Sequence, residues 1–251
     1  MLKRIKPRRI GWLPAVSGIV VFLLVAIMVI EAISHRTRNR VDVSEGLALI
    51  EAAQNADVTA IELKIQSLDA QDELGGGRSL KEIFASSVIM GDSMAQGFSE
   101  YDILNASSVV ADIGVSLTDL DDQIGRVREI NPQYIFMTYG ANDVLTTNGD
   151  VEIFIEQYRN ALREVQAQLP NTRVLVNSIF PVRGETLEKY AVYGQVDEYN
   201  QALRELCDRL QITFVDNTEI ARDTDYEADG LHLKSLFYPK WAVNMAEVTS
   251  L

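Results

Sequence analysis

The sequence predicts an α/β domain in which five short strands form a parallel sheet covered by helices on both faces, preceded by a membrane-spanning helix. Three observations carry this reading. From Ser87 onward, apolar runs of four or five residues alternate with long amphipathic stretches. The residues suited to chemistry stand just after those apolar runs or just before the last amphipathic stretch. Near the start, residues 10–30 contain no charged side chain.

The uncharged run comes first. It spans 21 positions, and about 20 apolar residues at 1.5 Å rise each cross the hydrocarbon core as a helix. Trp12 suits the interface, and Pro14 stands near the start, where a helix tolerates it. A cleaved signal peptide is the alternative, but its apolar region usually spans about 7–15 residues. The run is therefore read as an uncleaved anchor over 10–33. Lys3, Arg4, Lys6, Arg8 and Arg9 precede it, and Arg36, Arg38 and Arg40 follow it. That bias puts the basic tail, 1–9, in the cytoplasm and the body outside it, at the cell membrane. Charge divides the chain in the same place. Residues 1–40 carry eight Lys and Arg against Glu31, whereas the rest carries 15 against 35 acids, a formal −20. A body that acidic argues against nucleic-acid partners.

Residues 34–78 read as a helical stalk with a glycine joint. Leu47, Ile50 and Ala53 share one helical face, as do Ile61, Ile65 and Leu68. The segment is a stalk or a helical pair packed on the main domain. No heptad persists long enough for a dimerising coiled coil. Gly75, Gly76 and Gly77 break the pattern, and the main domain is expected over 79–251.

That domain opens on Ser79-Leu80-Lys81-Glu82, a capping box. Strands are predicted at 87–90, 107–111, 134–138, 173–177 and 213–216. Helices are predicted at 118–130, 151–169, 196–210 and 236–248. The first of these carries Leu120, Ile124, Val127 and Ile130 on one face. Such alternation gives a parallel sheet buried on both faces, with ligands beyond the carboxyl ends of the strands. Cys207 shares an apolar face with Leu203, Leu206 and Leu210, so it reads as a core residue. With one cysteine and only His35 and His232, a disulfide framework and a multi-histidine metal site are both excluded.

Gly91-Asp92-Ser93 ends the first strand, Gly114 follows the second, and Gly140-Ala141-Asn142-Asp143 follows the third. Asp229-Gly230-Leu231-His232 precedes the last helix. Singly, each has an ordinary explanation: Ser93 as a helix N-cap, Gly114 as a turn, Asn142 as a cap, Asp229 as a turn residue. Together they supply acyl-transfer chemistry. A serine hydroxyl needs a base to take its proton, and His232 is the one histidine available to the body. Asp229, three residues earlier, can hold the ring in one tautomer. The N–H groups of Ser93 and Gly114, with the Asn142 amide, are candidate oxyanion donors.

In these four blocks the sequence resembles the SGNH, or GDSL-type, hydrolases. Ser93 matches the nucleophile of the Gly-Asp-Ser block, Gly114 and Asn142 the oxyanion positions, and Asp229 and His232 the Asp-x-x-His block. The resemblance covers about 79–251. It implies a three-layer α/β/α fold and ester hydrolysis through an acyl-enzyme, with no metal and no cofactor. The resemblance also implies a broad range of substrates, acetylated carbohydrates, cell-wall glycans, lysophospholipids and thioesters among them, with O-acetyl groups of surface polysaccharides common for anchored extracytoplasmic members. An acylated, O-acetylated glycan or another small ester is therefore the expected partner, with the bilayer held through 10–33. Met94 stands where lipase-like members often carry Leu.

Other readings stay open at this stage. Gly91-Asp92-Ser93-Met94-Ala95 approaches the nucleophile elbow of α/β-hydrolases, but only 14 residues of the domain precede Ser93, too few for the strands that fold needs upstream. The same acyl-enzyme would serve an O-acyltransferase, a lysophospholipase or a lipase. A catalytically silent glycan-binding protein would keep the fold alone. The stretch from Phe180 to Gly194, with Arg183, Tyr190 and Tyr193, is a lid, a substrate wall or a plain surface loop.

Overall fold

The structure is a computed structural model and describes residues 24–31, 58–74, 77–249 and 251. Most of the expected anchor, 10–33, lies outside the described residues, as do 34–57 of the expected stalk. Residues 24–31 are helical, and Leu24, Val25, Ile27, Met28, Val29 and Ile30 are exposed. Among the described residues, no helix is long and apolar enough to cross a membrane.

Val58–Leu251 forms one compact unit. Its five strands are β1 (Ser87–Gly91), β2 (Val109–Ala111), β3 (Tyr134–Thr138), β4 (Arg173–Asn177) and β5 (Thr213–Val215). They lie in the order β2-β1-β3-β4-β5, all parallel. The chain goes from β1 to one side and then returns to β3 on the other. Connections therefore leave β1 and β3 in opposite directions, and a crevice opens beyond their carboxyl ends.

The middles of the strands are apolar because both faces of the sheet are covered. Side chains alternate with the period of two. Val88, Met90, Ile135, Met137, Val174 and Val176 enter one core, and Ile89, Phe136 and Leu175 enter the other. The first core is closed by α4 (Asp121–Ile130), α6 (Val151–Gln168) and α8 (Val196–Leu210). The second is closed by α1 (Thr59–Glu73), α2 (Leu80–Ile83), α3 (Ser93–Glu100) and α9 (Tyr238–Thr249). In α1, Ala70 is buried in this second core, so the helix before the glycine joint packs on the unit. Ser79 caps α2 with the expected capping box. Cys207 is fully buried, and burial pushes its thiol up to about 12.

The elements differ from expectation mainly after the strands. Short helices follow three of them: α3 and α5 (Ala141–Thr147) within two residues of the strand end, and α7 (Gly184–Lys189) after six. Helix α4 begins at Asp121 and not at 118, because the Asp143 carboxylate accepts the Leu117 N–H at 2.8 Å and draws that backbone toward the β3 end. Strand β5 stops at Val215, where Asp216 accepts both the N–H and the hydroxyl of Thr218 and turns the chain.

One close approach sets how α3 leaves the sheet. A Cβ on Gly91 would lie 2.6 Å from the Thr138 carbonyl oxygen and 2.7 Å from the Ala95 Cβ. Neither can retreat, since one belongs to β3 and the other to α3. Gly91→Ala should therefore destabilise the protein by about 1–3 kcal/mol through overpacking. Urea midpoints check this, and an unchanged midpoint would remove the constraint.

Candidate active site

The four blocks meet at the carboxyl edge of the sheet. Ser93 is the first residue of α3, and its cap is Asp92, whose carboxylate accepts the Met94 N–H at 2.9 Å. The capping role that Ser93 could have filled thus falls to its neighbour, and the serine hydroxyl is left to face the crevice. Its Oγ lies 3.3 Å from His232 Nε2. On the other side of the ring, His232 Nδ1 lies 2.6 Å from Asp229 Oδ2. Asp229 Oδ1 accepts the N–H groups of Leu231 and His232 at 2.9 and 3.0 Å.

These bonds assign the proton. Burial alone would raise the Asp229 carboxyl, but the His232 ring and the two backbone N–H groups outweigh it and hold it below its usual value. An ionised carboxylate only accepts, so Nδ1 donates to it, and the neutral form of the ring then carries its lone pair on Nε2, the nitrogen nearest Ser93 Oγ. The loop bearing this pair is tied down on both sides. Tyr226 and Leu233 form an antiparallel bridge, Glu227 N–H donates to the His232 carbonyl at 2.8 Å, and Arg183 N–H donates to the Gly230 carbonyl at 2.8 Å.

Asn142 stands in the first turn of α5, just beyond β3. One N–H of its Nδ2 is committed to the Val115 carbonyl at 2.9 Å. Nδ2 also donates to Asp92 Oδ2 at 3.5 Å, the weaker of its two bonds. Gly114 follows β2 with φ of +77°, a conformation that favours glycine. A side chain there would meet nothing within 4 Å, so backbone conformation and not crowding accounts for glycine at that position.

Several residues that support this edge carry no sequence signal of their own. Gln123 is buried and donates through Nε2 to the Gly91 carbonyl at 2.9 Å and to Asp112 at 2.8 Å, while the Tyr139 hydroxyl donates to its Oε1. Beneath the crevice, Asn217, Asn177 and Thr138 form a buried hydrogen-bonded chain. Of the aromatic stretch after β4, Phe180 is buried in the core on the α3 and α9 side, Tyr193 is buried with its hydroxyl on the Ala141 carbonyl at 3.1 Å, and Tyr190 is exposed. A small cavity of about 20 Å³ lies between the blocks, lined by Met94, Tyr139, Ala141, Ile179, Phe180 and Leu231 among others. Among the described residues, no group of three His, Cys, Asp or Glu is placed to hold a metal ion.

Two carboxyls are buried beside the serine. Desolvation pushes Asp92 up to about 7 and Asp143 up to about 6, against the backbone N–H groups that favour their ionised forms. Both values lie above an unfolded value of about 3.9. Folding therefore takes up protons between about pH 4 and 7, and stability falls as pH rises through that window. Asp92→Asn keeps an oxygen for the Met94 N–H and removes one titration. It should flatten the fall in stability from pH 5 to pH 8, as read by urea melts at both values. An equal fall in both proteins would overturn the assignment.

The model of the GDSL-like Lipase/Acylhydrolase family matches residues 89–238, from inside β1 to the first residue of α9. No curated protein matches the sequence. Among solved structures, a GDSL-like lipase from Bacteroides thetaiotaomicron is similar with a TM-score of 0.51 at 16% identity, over 65% of this chain and 87% of that one. An acetyl xylan esterase is similar with a TM-score of 0.51 at 20% identity, over 64% of this chain and 98% of that one. At such identities the likeness is one of fold. The family match spans more than half of the sequence and takes in all four blocks, and the chain belongs to the GDSL-like lipase/acylhydrolase family of esterase-type hydrolases.

Proposed function

We propose that the protein is a serine esterase that removes short acyl groups, acetyl above all, from a carbohydrate or similar alcohol through an acyl-enzyme. The observation that carries this reading is the relay from Ser93 Oγ through His232 to Asp229, at 3.3 and 2.6 Å. In the first half of the reaction, Nε2 of His232 takes the Ser93 proton as Oγ bonds to the acyl carbon. Negative charge moves to the former carbonyl oxygen, where the N–H groups of Ser93 and Gly114 and the Asn142 amide, exchanging its long bond to Asp92, receive it. The imidazolium, steadied by Asp229, then gives its proton to the departing alcohol oxygen. Water enters on the same side and loses a proton to Nε2 as it bonds to the acyl carbon; Nε2 then returns that proton to Ser93 Oγ as the bond to the acyl carbon breaks and the acid leaves. The 3.3 Å separation suits a resting site, since such bonds commonly tighten when substrate binds.

The shape of the site supports a small acid joined to a large alcohol. The His232 and Asp229 side chains are 44% and 45% exposed, so the leaving-group side is open. The cavity next to Ser93 is small and largely apolar. We further infer that residues 10–33 anchor the chain in the cell membrane with the N-terminus cytoplasmic and the hydrolase outside. The uncharged run and the bias of basic residues before it support that placement.

Ser93→Ala and His232→Ala should each lower kcat on p-nitrophenyl acetate by at least about a thousandfold without unfolding the protein. Asp229→Asn should cost less than either if Asp229 chiefly orients the ring. Labelling of the wild type by a fluorophosphonate, absent in Ser93→Ala, identifies the nucleophile. Full activity in His232→Ala would sink the mechanism. For the anchor, the chain should stay with membranes through alkaline carbonate washing and lose its hydrolase to protease added outside intact cells. Release by the wash, or protection from the protease, would remove that placement.

A further inference from the structure

The cavity beside Ser93 has one wall that is built to stay where it is. Ile179 follows β4 by two residues and is buried. The side chain of Asn200, from α8, clamps its backbone at both ends: Ile179 N–H donates to Asn200 Oδ1 at 2.8 Å, and Asn200 Nδ2 donates to the Ile179 carbonyl at 2.8 Å. Asn200 is itself buried, so these bonds do not compete with solvent. The Ile179 side chain lies on Gly140, where a Cβ would come within 2.5 Å of Ile179 Cγ1 and Cδ1. Gly140 opens the turn that carries Asn142. The wall therefore abuts the backbone that positions an expected oxyanion donor.

The neighbouring wall is as firm. Phe180 packs edge-on against Trp241 at 4.8 Å and against Phe237 at 5.4 Å, and both partners are buried. Neither wall residue has room to turn aside, because packed interiors do not yield by a methylene without cost. The space they leave, about 20 Å³, compares with the roughly 10–15 Å³ that one water occupies on the same measure. A methyl group matches the narrow part of this space between Ile179 and Phe180.

Position links this space to the reacting carbon. Its lining includes Asp92 and Met94 on either side of Ser93, Ala141 next to Asn142, and Leu231 next to His232. The space is thus bordered by chain neighbours of Ser93, Asn142 and His232, and an alkyl group carried on Ser93 Oγ has an apolar recess one residue away.

We propose that Ile179, fixed by the Asn200 clamp and seated on Gly140, sets the upper limit of acyl length and restricts the enzyme to acetyl and similarly small acyl esters. This rests on the serine esterase reading. The test is kcat/KM of the full chain on p-nitrophenyl acetate, butyrate and octanoate, with Ser93→Ala as background. Wild type should fall steeply from acetate to butyrate. Ile179→Ala removes three carbons from the wall and should raise the butyrate-to-acetate ratio about tenfold or more, the usual scale for a methylene or two in a fitted pocket. Ile179→Val, a milder change that preserves packing, should move the ratio the same way by less, and it carries the test if Ile179→Ala does not fold. Ser93-dependent turnover with an unmoved ratio in the folded variants overturns the role of Ile179 and leaves the esterase reading standing. Wild type that accepts octanoate as readily as acetate does the same. Turnover that Ser93→Ala does not abolish removes the esterase reading and this inference with it.

Discussion

The missing side chain of Gly91 is the constraint on which the site depends. It lets α3 start against the end of β3, with the Thr138 carbonyl and Ala95 both where a Cβ would project. Only from that start can Asp92 sink beneath the helix as its cap and leave Ser93 at the mouth of the crevice. The crevice itself follows from strand order, since the chain departs on opposite sides of β1 and β3. Topology makes the opening, and one absent methyl group puts the hydroxyl in it. The Gln123 side chain then secures the Gly91 carbonyl from behind.

Much of the fold was legible because the strands announce themselves. Val88-Ile89-Met90 and Ile135-Phe136-Met137 are apolar on both faces, as a sheet covered on both sides requires. The residues of the blocks were legible because their chemistry is scarce, with one histidine in the whole body. The short helices α3, α5 and α7 were not. Ser93-Met-Ala-Gln-Gly-Phe-Ser-Glu mixes Gly and Ser into eight residues and has weak helical propensity, so tertiary packing of Met94, Ala95 and Phe98 decides it. Asn200 gave no signal at all. Mid-helix asparagines usually face solvent, and the backbone it clamps lies 21 residues away.

The relay joins two kinds of contact. Asp229 and His232 are three residues apart, and the pair is local, supported by a turn whose own N–H groups hold the carboxylate. Ser93 and His232 are 139 residues apart. That second contact exists because β1 and the loop before α9 are both tied to one end of the sheet. Desolvation acts differently on the carboxylates as well. Asp229 is half-exposed and well bonded, so it stays ionised beside the ring, whereas Asp92 and Asp143 are buried and driven toward their neutral forms. One edge thus keeps a charge where the imidazole needs it and suppresses charge beneath the serine.

The long reach from Ser93 to His232 has a consequence for the chain as it is made. Synthesis delivers Ser93, Gly114, Asn142 and all five strands before the loop that carries Asp229 and His232, and α9 follows that loop. Trp241, which backs Phe180, belongs to that last helix. A growing chain therefore holds Ser93 before His232 is beside it, and a cavity whose Phe180 wall is still unsupported. The Ser93–His232 contact and the packing behind Phe180 therefore both depend on the stretch from Asp229 to Trp241.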